Sequence, residues 1–228
     1  MTVLDLGSGG GDVCLLLAEM VGAAGAVIGL DLDPAAITHA RRRVADAGLG
    51  NVEFHQTDFA QYVPTLPLDA IVGRLVLCYQ PDPVPPLAAL VSYLRPGGIV
   101  AFQEPWMIPV GGPESTGKRV GHCIVETLCR SGALIDLGAR LHRVYTAAGL
   151  PQPQMRYEAV MDGREDSPLY RYAAATLTSL LPKAIEYGVA AEGDFNTASL
   201  AAHLSAERAA MGVAMITLPL VSAWCRKA

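Results

Sequence analysis

The sequence predicts an α/β fold built on a doubly wound, mostly parallel sheet. Three observations lead there. Short apolar runs alternate with amphipathic segments from the start to about residue 104, at strand and helix spacing in turn. Acids close the second and third runs at Asp31 and Asp58. The first run, Val3-Leu4-Asp5-Leu6, breaks into Gly7-Ser8-Gly9-Gly10-Gly11-Asp12 and then into a helical pattern. Glycines in such a strand-turn-helix corner can take positive φ and let a ligand lie against bare backbone. The helix that follows points free N–H groups and partial positive charge at the same place. The corner suits a nucleotide-like ligand. A dinucleotide fingerprint, G-x-G-x-x-G or A, would need glycine or alanine at Asp12 or Cys14. The pattern is instead G-x-G-x-G, with Asp5 two residues before its first glycine.

Each element can be justified in order. The first helix shows Val13, Leu16, Leu17 and Met20 at helical spacing. Gly25 to Asp31 reads as a second buried strand, and Asp31 stands about where a βαβ nucleotide site places its ribose-binding carboxylate. Asp33-Pro34 supplies the next helix with a cap and a first-turn proline, leaving Asp31 for a vicinal diol. That helix carries Ile37, Ala40, Val44 and Ala47 on one face. Arg41, Arg42 and Arg43 read as a solvated face rather than a nucleic-acid patch. Gly48 and Gly50 end it. Val52 to Gln56 alternates as a third strand, followed by Asp58-Phe59, where Asp58 reads equally as a turn residue. Leu68 to Val72 is a fourth strand running on through Gly73-Arg74 to Cys78-Tyr79. Pro81-Asp82-Pro83 caps a helix through Leu87, Leu90, Val91 and Leu94. Arg95-Pro96-Gly97-Gly98 reads as a turn before a fifth strand, Ile99 to Gln103.

From Glu104 the alternation stops. Pro105, Pro109 and Pro113 bound an irregular loop holding Trp106 and Met107. A helix marked by Val120, Ile124, Leu128 and Leu134 follows, then one from Leu137 to Ala148. Gln154 to Val160 is strand-like. Two or three helices occupy residues 166–211, with Tyr170, Ala174, Leu177 and Leu181 at helical spacing. Met215 to Cys225 closes the chain as a strand interrupted near Pro219.

Residues 5–11, 31, 58–59 and 95–98 together resemble the class I S-adenosylmethionine-dependent methyltransferases, and the whole is similar to their UbiE/Coq5-type small-molecule branch. The resemblance implies a Rossmann-like seven-stranded sheet in the order 3-2-1-4-5-7-6. Helical insertions would follow strand 5 and separate strands 6 and 7. It implies one methyltransferase domain over residues 1–228. Residues 1–104 would be the cofactor-binding core, 105–212 a mostly helical substrate cap holding strand 6 near 154–160, and 213–225 the last strand. It further implies that Gly7, Ser8, Gly9 and Gly11 border the amino-acid end of S-adenosylmethionine, with Asp5 orienting its amino group. Asp31, with Leu32 beside it, would hold the ribose, Asp58 and Phe59 the adenine, and Arg74 would lie where backbone approaches the cofactor. Tyr79, Glu104 and Trp106 are candidates for the acceptor pocket, each with a plain alternative as loop anchor or core residue. Many relatives carry a histidine pair where Cys78-Tyr79 stands, so no catalytic residue is named. His122, His142 and Tyr170 could act as a base but read as packing or surface residues, as do His39, His55 and His203. Relatives have helices before the glycine motif, whereas Met1 and Thr2 alone precede Val3; the N-terminal helix therefore looks missing, and a start further upstream is the expectation.

Totals bound the rest. The 228 residues are 51% hydrophobic and 17% charged, enough for a sizeable core. A net charge of -5 gives no general attraction to phosphate backbones. The five cysteines form no C-x-x-C pair, and His122, Cys123 and Cys129 fit no metal spacing. No apolar run has transmembrane length and no signal peptide is visible, so a cytoplasmic location is expected. The partners expected are a small-molecule acceptor and, at most, a second copy of the chain, with neither nucleic acid nor metal. A cofactor-binding regulator or partner subunit without turnover is the alternative. A nicotinamide oxidoreductase is disfavoured by the glycine spacing, and RNA or protein methylation by the acidic balance.

Overall fold

The computed structural model describes residues 1–107 and 114–228. The chain forms two compact units. The first comprises Met1–Glu104, Leu137–Arg156 and Val221–Ala228, and the second Pro105–Asp136 and Tyr157–Leu220.

The first unit is built on a seven-stranded sheet. Its strands are β1 (Thr2–Leu6), β2 (Ala26–Asp31), β3 (Val52–Gln56), β4 (Leu68–Arg74), β5 (Leu94–Pro105), β6 (Gln154–Glu158) and β9 (Leu220–Arg226). They lie in the order β3-β2-β1-β4-β5-β9-β6. This is the anticipated 3-2-1-4-5-7-6 order. The numbering differs because β7 (Met161–Asp162) and β8 (Met215–Ile216) pair antiparallel in a ladder of their own. β1 runs parallel to both β2 and β4, and β5 parallel to β4. Covered on both faces, these strands are apolar without alternation: Leu4, Leu6, Leu30 and Ile71 are fully buried. At the other end of the row, the amides of Gly97 and Lys227 exchange hydrogen bonds with Lys227 and Gly98 carbonyls, so β9 runs against β5.

Helices α1 (Asp12–Val21), α2 (Pro34–Asp46), α3 (Val84–Ser92) and α5 (Leu137–Ala147) complete this unit. Asp33 caps α2 by accepting from the Ala35 amide, with Pro34 in the first turn. Ile37, Ala40 and Val44 are buried as anticipated, while Ala47 lies past the helix and is exposed. The face of α1 differs from the periodicity reading. Cys14 and Ala18 are its buried residues, whereas Leu16 and Met20 are 62% and 80% exposed. The reason is Gly29 of β2. It leaves room for the Phe54 ring and the Cys14 thiol, which draws the small side of α1 to the sheet. Arg95 to Gly98 also differs. It is a bulge inside β5, between the Leu68–Leu94 and Ala70–Ile99 pairs, rather than a turn ahead of the strand. Tyr145 of α5 is fully buried, edge-on to Phe102 and donating its hydroxyl to the Ala223 carbonyl at 2.6 Å.

The second unit holds α4 (Thr116–Arg130), α6 (Pro168–Glu186), α7 (Leu200–Met211) and the β7–β8 ladder. Val120, Ile124, Tyr170, Leu177, Leu204 and Met215 share its core. Leu134 falls beyond the end of α4, and Gly132 at φ 83 turns the chain there. Pro109 and Pro113 lie outside the described residues.

A Cβ at Gly29 would stand 2.6 Å from Phe54 Cδ1 and 2.9 Å from Cys14 Sγ. Gly29→Ala is therefore expected to overpack the α1–β2–β3 layer and cost about 1–3 kcal/mol. Urea unfolding followed by circular dichroism checks this, and an unchanged midpoint would contradict it.

Candidate functional site

In a parallel sheet the carboxyl ends of all strands lie along one edge. Here Gly7, Asp31, Asp58 and Arg74 stand at or just beyond the ends of β1, β2, β3 and β4. The chain goes from β1 outward to β2 and β3, then crosses back to β4 on the other side of β1. The crevice between β1 and β4 is thus the topological switch point, where ligands of such sheets bind.

The glycine turn lies in that crevice, and its glycines serve different ends. Gly7, Gly9 and Gly11 have φ of 63, 50 and 82, the left-handed region that only glycine adopts freely. A Cβ on Gly7 would meet Val76 Cγ2 at 2.5 Å, so the chain after β4 packs directly on this residue. A Cβ on Gly11 would meet Ala40 at 3.1 Å and Phe54 at 3.2 Å, which brings α1 close to α2 and β3. A Cβ on Gly9 would meet nothing within 4 Å, so the backbone there borders open space.

One carboxylate holds the turn from behind, and a second is buried at the strand that leads into it. Asp31 Oδ2 accepts the Gly9 amide at 2.8 Å and its Oδ1 the Asp33 amide at 2.9 Å. A carboxylate offers about four acceptor positions, so Asp31 fixes the turn while retaining capacity for a diol. Asp5 is 1% exposed and accepts the Cys14 thiol at 3.1 Å. Burial pushes its carboxyl up to about 7, with the Cys14 hydrogen bond acting the other way. Burial also drives the Cys14 thiol far up, so that it stays protonated as the donor. Ser8 is buried, and its Oγ has no partner among the described residues. An orphaned hydroxyl beside an open glycine backbone fits a polar ligand at this corner.

The remaining anticipated residues are placed as follows. Asp58 Oδ1 accepts the Ala60 amide in a local turn, and Phe59 is buried. Leu32 is 63% exposed. Arg74 is exposed and donates from Nε to Gln103 Oε1 at 3.1 Å. Tyr79 is half exposed, in the short 3₁₀ turn Leu77–Tyr79. Glu104 is completely buried, and its carboxylate accepts three amides, those of Val76, Leu77 and Cys78. Trp106 belongs to the second unit, where its amide donates to the Pro219 carbonyl. His122 and His142 are exposed, and Tyr170 is a core residue of the second unit. Among the described residues, no cluster of histidine, cysteine or carboxylate could hold a metal. No described helix is long and apolar enough to cross a membrane.

Arg43 belongs to the site although its sequence context reads as solvated surface. Its Nη1 donates to the Gly10 carbonyl at 2.7 Å and to Asp12 Oδ1 at 2.6 Å, tying α2 to the glycine turn. Nothing in an Arg-Arg-Arg run distinguishes the member that reaches back 33 residues. Val76 and Cys14 are likewise invisible as site residues until the packing on Gly7 and the bond to Asp5 are seen.

The order of strands and the glycine corner define a class, the methyltransferases with a Rossmann-like sheet. A family model described as a methyltransferase domain matches residues 1–149, and the chain belongs to that family. The arsenite methyltransferase of Halobacterium salinarum is 38% identical over 104 residues, 45% of this chain and 27% of that protein. The trans-aconitate 2-methyltransferase of Azoarcus is 36% identical over 104 residues, 46% and 39% of the two chains. The match thus spans less than half the length of these curated relatives. Among solved structures, a SAM-dependent methyltransferase from Aquifex aeolicus superposes with a TM-score of 0.51 at 22% identity, over 70% of this chain and 75% of that one. A phosphoethanolamine N-methyltransferase from Haemonchus contortus, in complex with phosphomonomethylethanolamine and S-adenosylhomocysteine, gives 0.60 at 16% identity, over 100% and 48%. These structures share the fold.

The raised carboxyl of Asp5 has a pH consequence. Its folded-state pKa near 7 lies above the ordinary 3.8, so folding takes up a proton between those values. Its contribution to stability is full below about pH 4 and is lost as pH rises toward 7. Glu104, raised from 4.5 to about 7 chiefly by burial, acts in the same direction. The urea midpoint is expected to fall from pH 5 to pH 7.5, and to fall less in Asp5→Asn. Equal slopes in the two proteins would contradict this.

Proposed function

We propose that this protein transfers the methyl group of S-adenosylmethionine to a small-molecule acceptor. The observation that carries the reading is the open glycine turn at the switch point, clasped by Asp31 and lined by an unpartnered Ser8 hydroxyl. When bound, the cofactor supplies an electrophilic methyl on a sulfonium. The chain's own task is then to orient and to exclude water. The Gly7–Gly11 backbone and Ser8 would border the amino-acid end, with Asp5 behind them. Asp31, beside Leu32, would accept the ribose hydroxyls, and Asp58 with Phe59 would border the adenine. Arg74 would stand at the cofactor-facing backbone of β4. Tyr79 and Trp106 remain candidates to face the acceptor.

Within the family, the order of the sequence signals supports the UbiE/Coq5-type small-molecule branch. The named relatives, an arsenite and a trans-aconitate methyltransferase, also act on small molecules by name. A second reading, cofactor binding without turnover, draws on one observation. Cys78 stands where many relatives have a histidine pair, and burial holds its thiol protonated, so no base is supplied there. The helical segments after Glu104 are proposed to select the acceptor.

Calorimetry with S-adenosylmethionine tests the first step. Asp31→Ala is expected to weaken binding by about 1–3 kcal/mol through lost hydrogen bonds to the ribose and a loosened Gly9. Undiminished affinity would displace the ribose from Asp31, and preference for a dinucleotide would overturn the reading. A methyl-donor turnover assay across phenols, amines, carboxylic acids including trans-aconitate, and arsenite then separates the two readings. Product on any acceptor supports the enzyme; tight binding with no product on all of them supports the binding protein.

A further inference from the structure

Glu104 is the most deeply buried carboxylate in the first unit, at 0% exposure, and it serves the main chain. Its Oε1 accepts the Val76 amide at 3.1 Å and the Leu77 amide at 2.9 Å, and its Oε2 accepts the Cys78 amide at 3.2 Å. One side chain of β5 thus satisfies three successive amides of the turn that follows β4. Just before them stands Leu75, the one described non-glycine residue with positive φ, at 53. A branched apolar residue in the left-handed region is strained and persists only where its surroundings over-determine it. Here the Leu75 amide bonds the Gln103 carbonyl at 2.9 Å on one side, and Glu104 grips the next three amides on the other. The strained turn brings Val76 onto Gly7, where even one added carbon would stand 2.5 Å from the valine.

We infer that Glu104 is a positioning residue of the cofactor corner: through Val76, Leu77 and Cys78 it presses the β4 turn against Gly7 and so sets the width of the switch-point crevice. This goes beyond an acceptor-pocket role for Glu104, and it rests on the proposed function only for which ligand fills the crevice. The clamp needs its negative charge, because a neutral carboxyl carries a proton on one oxygen and serves three amides less well. Burial lifts the carboxyl to about 7, while the amides and the Cys78 thiol favour the ionised form. The titratable groups facing it are the Cys78 thiol and the Tyr79 phenol on the turn and the Tyr145 phenol on α5. Burial holds all three protonated, so the carboxylate is the group that changes charge near neutral pH.

Hydrogen exchange of the whole protein, without cofactor, tests the clamp in Glu104→Ala and Glu104→Gln. Glutamine keeps an acceptor for Val76 and Leu77 but sets an amide N–H against a backbone N–H at Cys78. Loss of protection is expected over residues 75–79 and also over 7–11, larger for alanine. Loss confined to 75–79, or none, would overturn the inference. Should the alanine variant fail to fold, the glutamine variant decides. The second readout is calorimetric affinity for S-adenosylmethionine from pH 5.5 to 8.5. Wild type is expected to bind more weakly as pH falls through 7, glutamine to show a smaller dependence, the remainder belonging to Asp5, and alanine to bind roughly tenfold more weakly at pH 8, the size of one lost hydrogen bond to a charged group. Identical pH profiles for wild type and Glu104→Gln would also overturn it. If wild type binds no S-adenosylmethionine at all, the proposed function fails while the exchange data still judge the clamp.

Discussion

The hydrogen bond from the Gly9 amide to Asp31 Oδ2, beside that from the Ser8 amide to the Leu30 carbonyl, joins the ends of the first two strands into one corner. Such ties matter because glycine loses more conformational freedom on ordering than any other residue. Through the first of them, a carboxylate at the end of β2 fixes the backbone at the end of β1 and keeps lone pairs for a ligand. Arg43 reinforces the turn from α2 through the Gly10 carbonyl, and the Val76 side chain closes on Gly7 from the β4 side. The corner is therefore gripped from three directions by residues far apart in the chain.

The first unit places two buried carboxylates near this edge, which is an unusual use of acids. Each is stabilised by donors rather than by cations: Asp5 by a thiol, Glu104 by three amides. Leaving such groups unpaired would cost several kcal/mol, so both are held by networks that leave little freedom to the segments they touch. Their protonation near neutral pH follows from burial winning over hydrogen bonding. That balance makes the corner more sensitive to pH than its solvent-exposed residues suggest.

The sequence made much of this arrangement readable. The five strands up to Glu104 followed from the alternation, because parallel strands covered on both faces are continuous apolar runs, while their order in the sheet was what the family resemblance implied. The glycine turn and Asp31 were visible because their chemistry is local and their spacing characteristic. What escaped was decided by packing. Leu16 and Met20 looked like the inner face of α1, yet the space above Gly29 admits only the Cys14 and Ala18 side. Arg95 to Gly98 carries turn residues, but the strand register absorbs them as a bulge. Arg43's part in the turn escaped for another reason, as did the three amides served by Glu104, which the sequence offered as an acceptor-pocket candidate or a loop anchor. Both residues act on backbone groups more than twenty residues away, and a side chain that serves distant amides or carbonyls leaves no local pattern.

The central claim is that the Gly7–Gly11 turn and Asp31 form a cradle for S-adenosylmethionine. A crystal structure of the protein with S-adenosylhomocysteine tests it most directly. The account requires the ligand's amino-acid end along the glycine turn, within hydrogen-bond reach of the Ser8 hydroxyl, and its ribose hydroxyls on Asp31. Ligand density elsewhere, with the corner occupied by water alone, would contradict it.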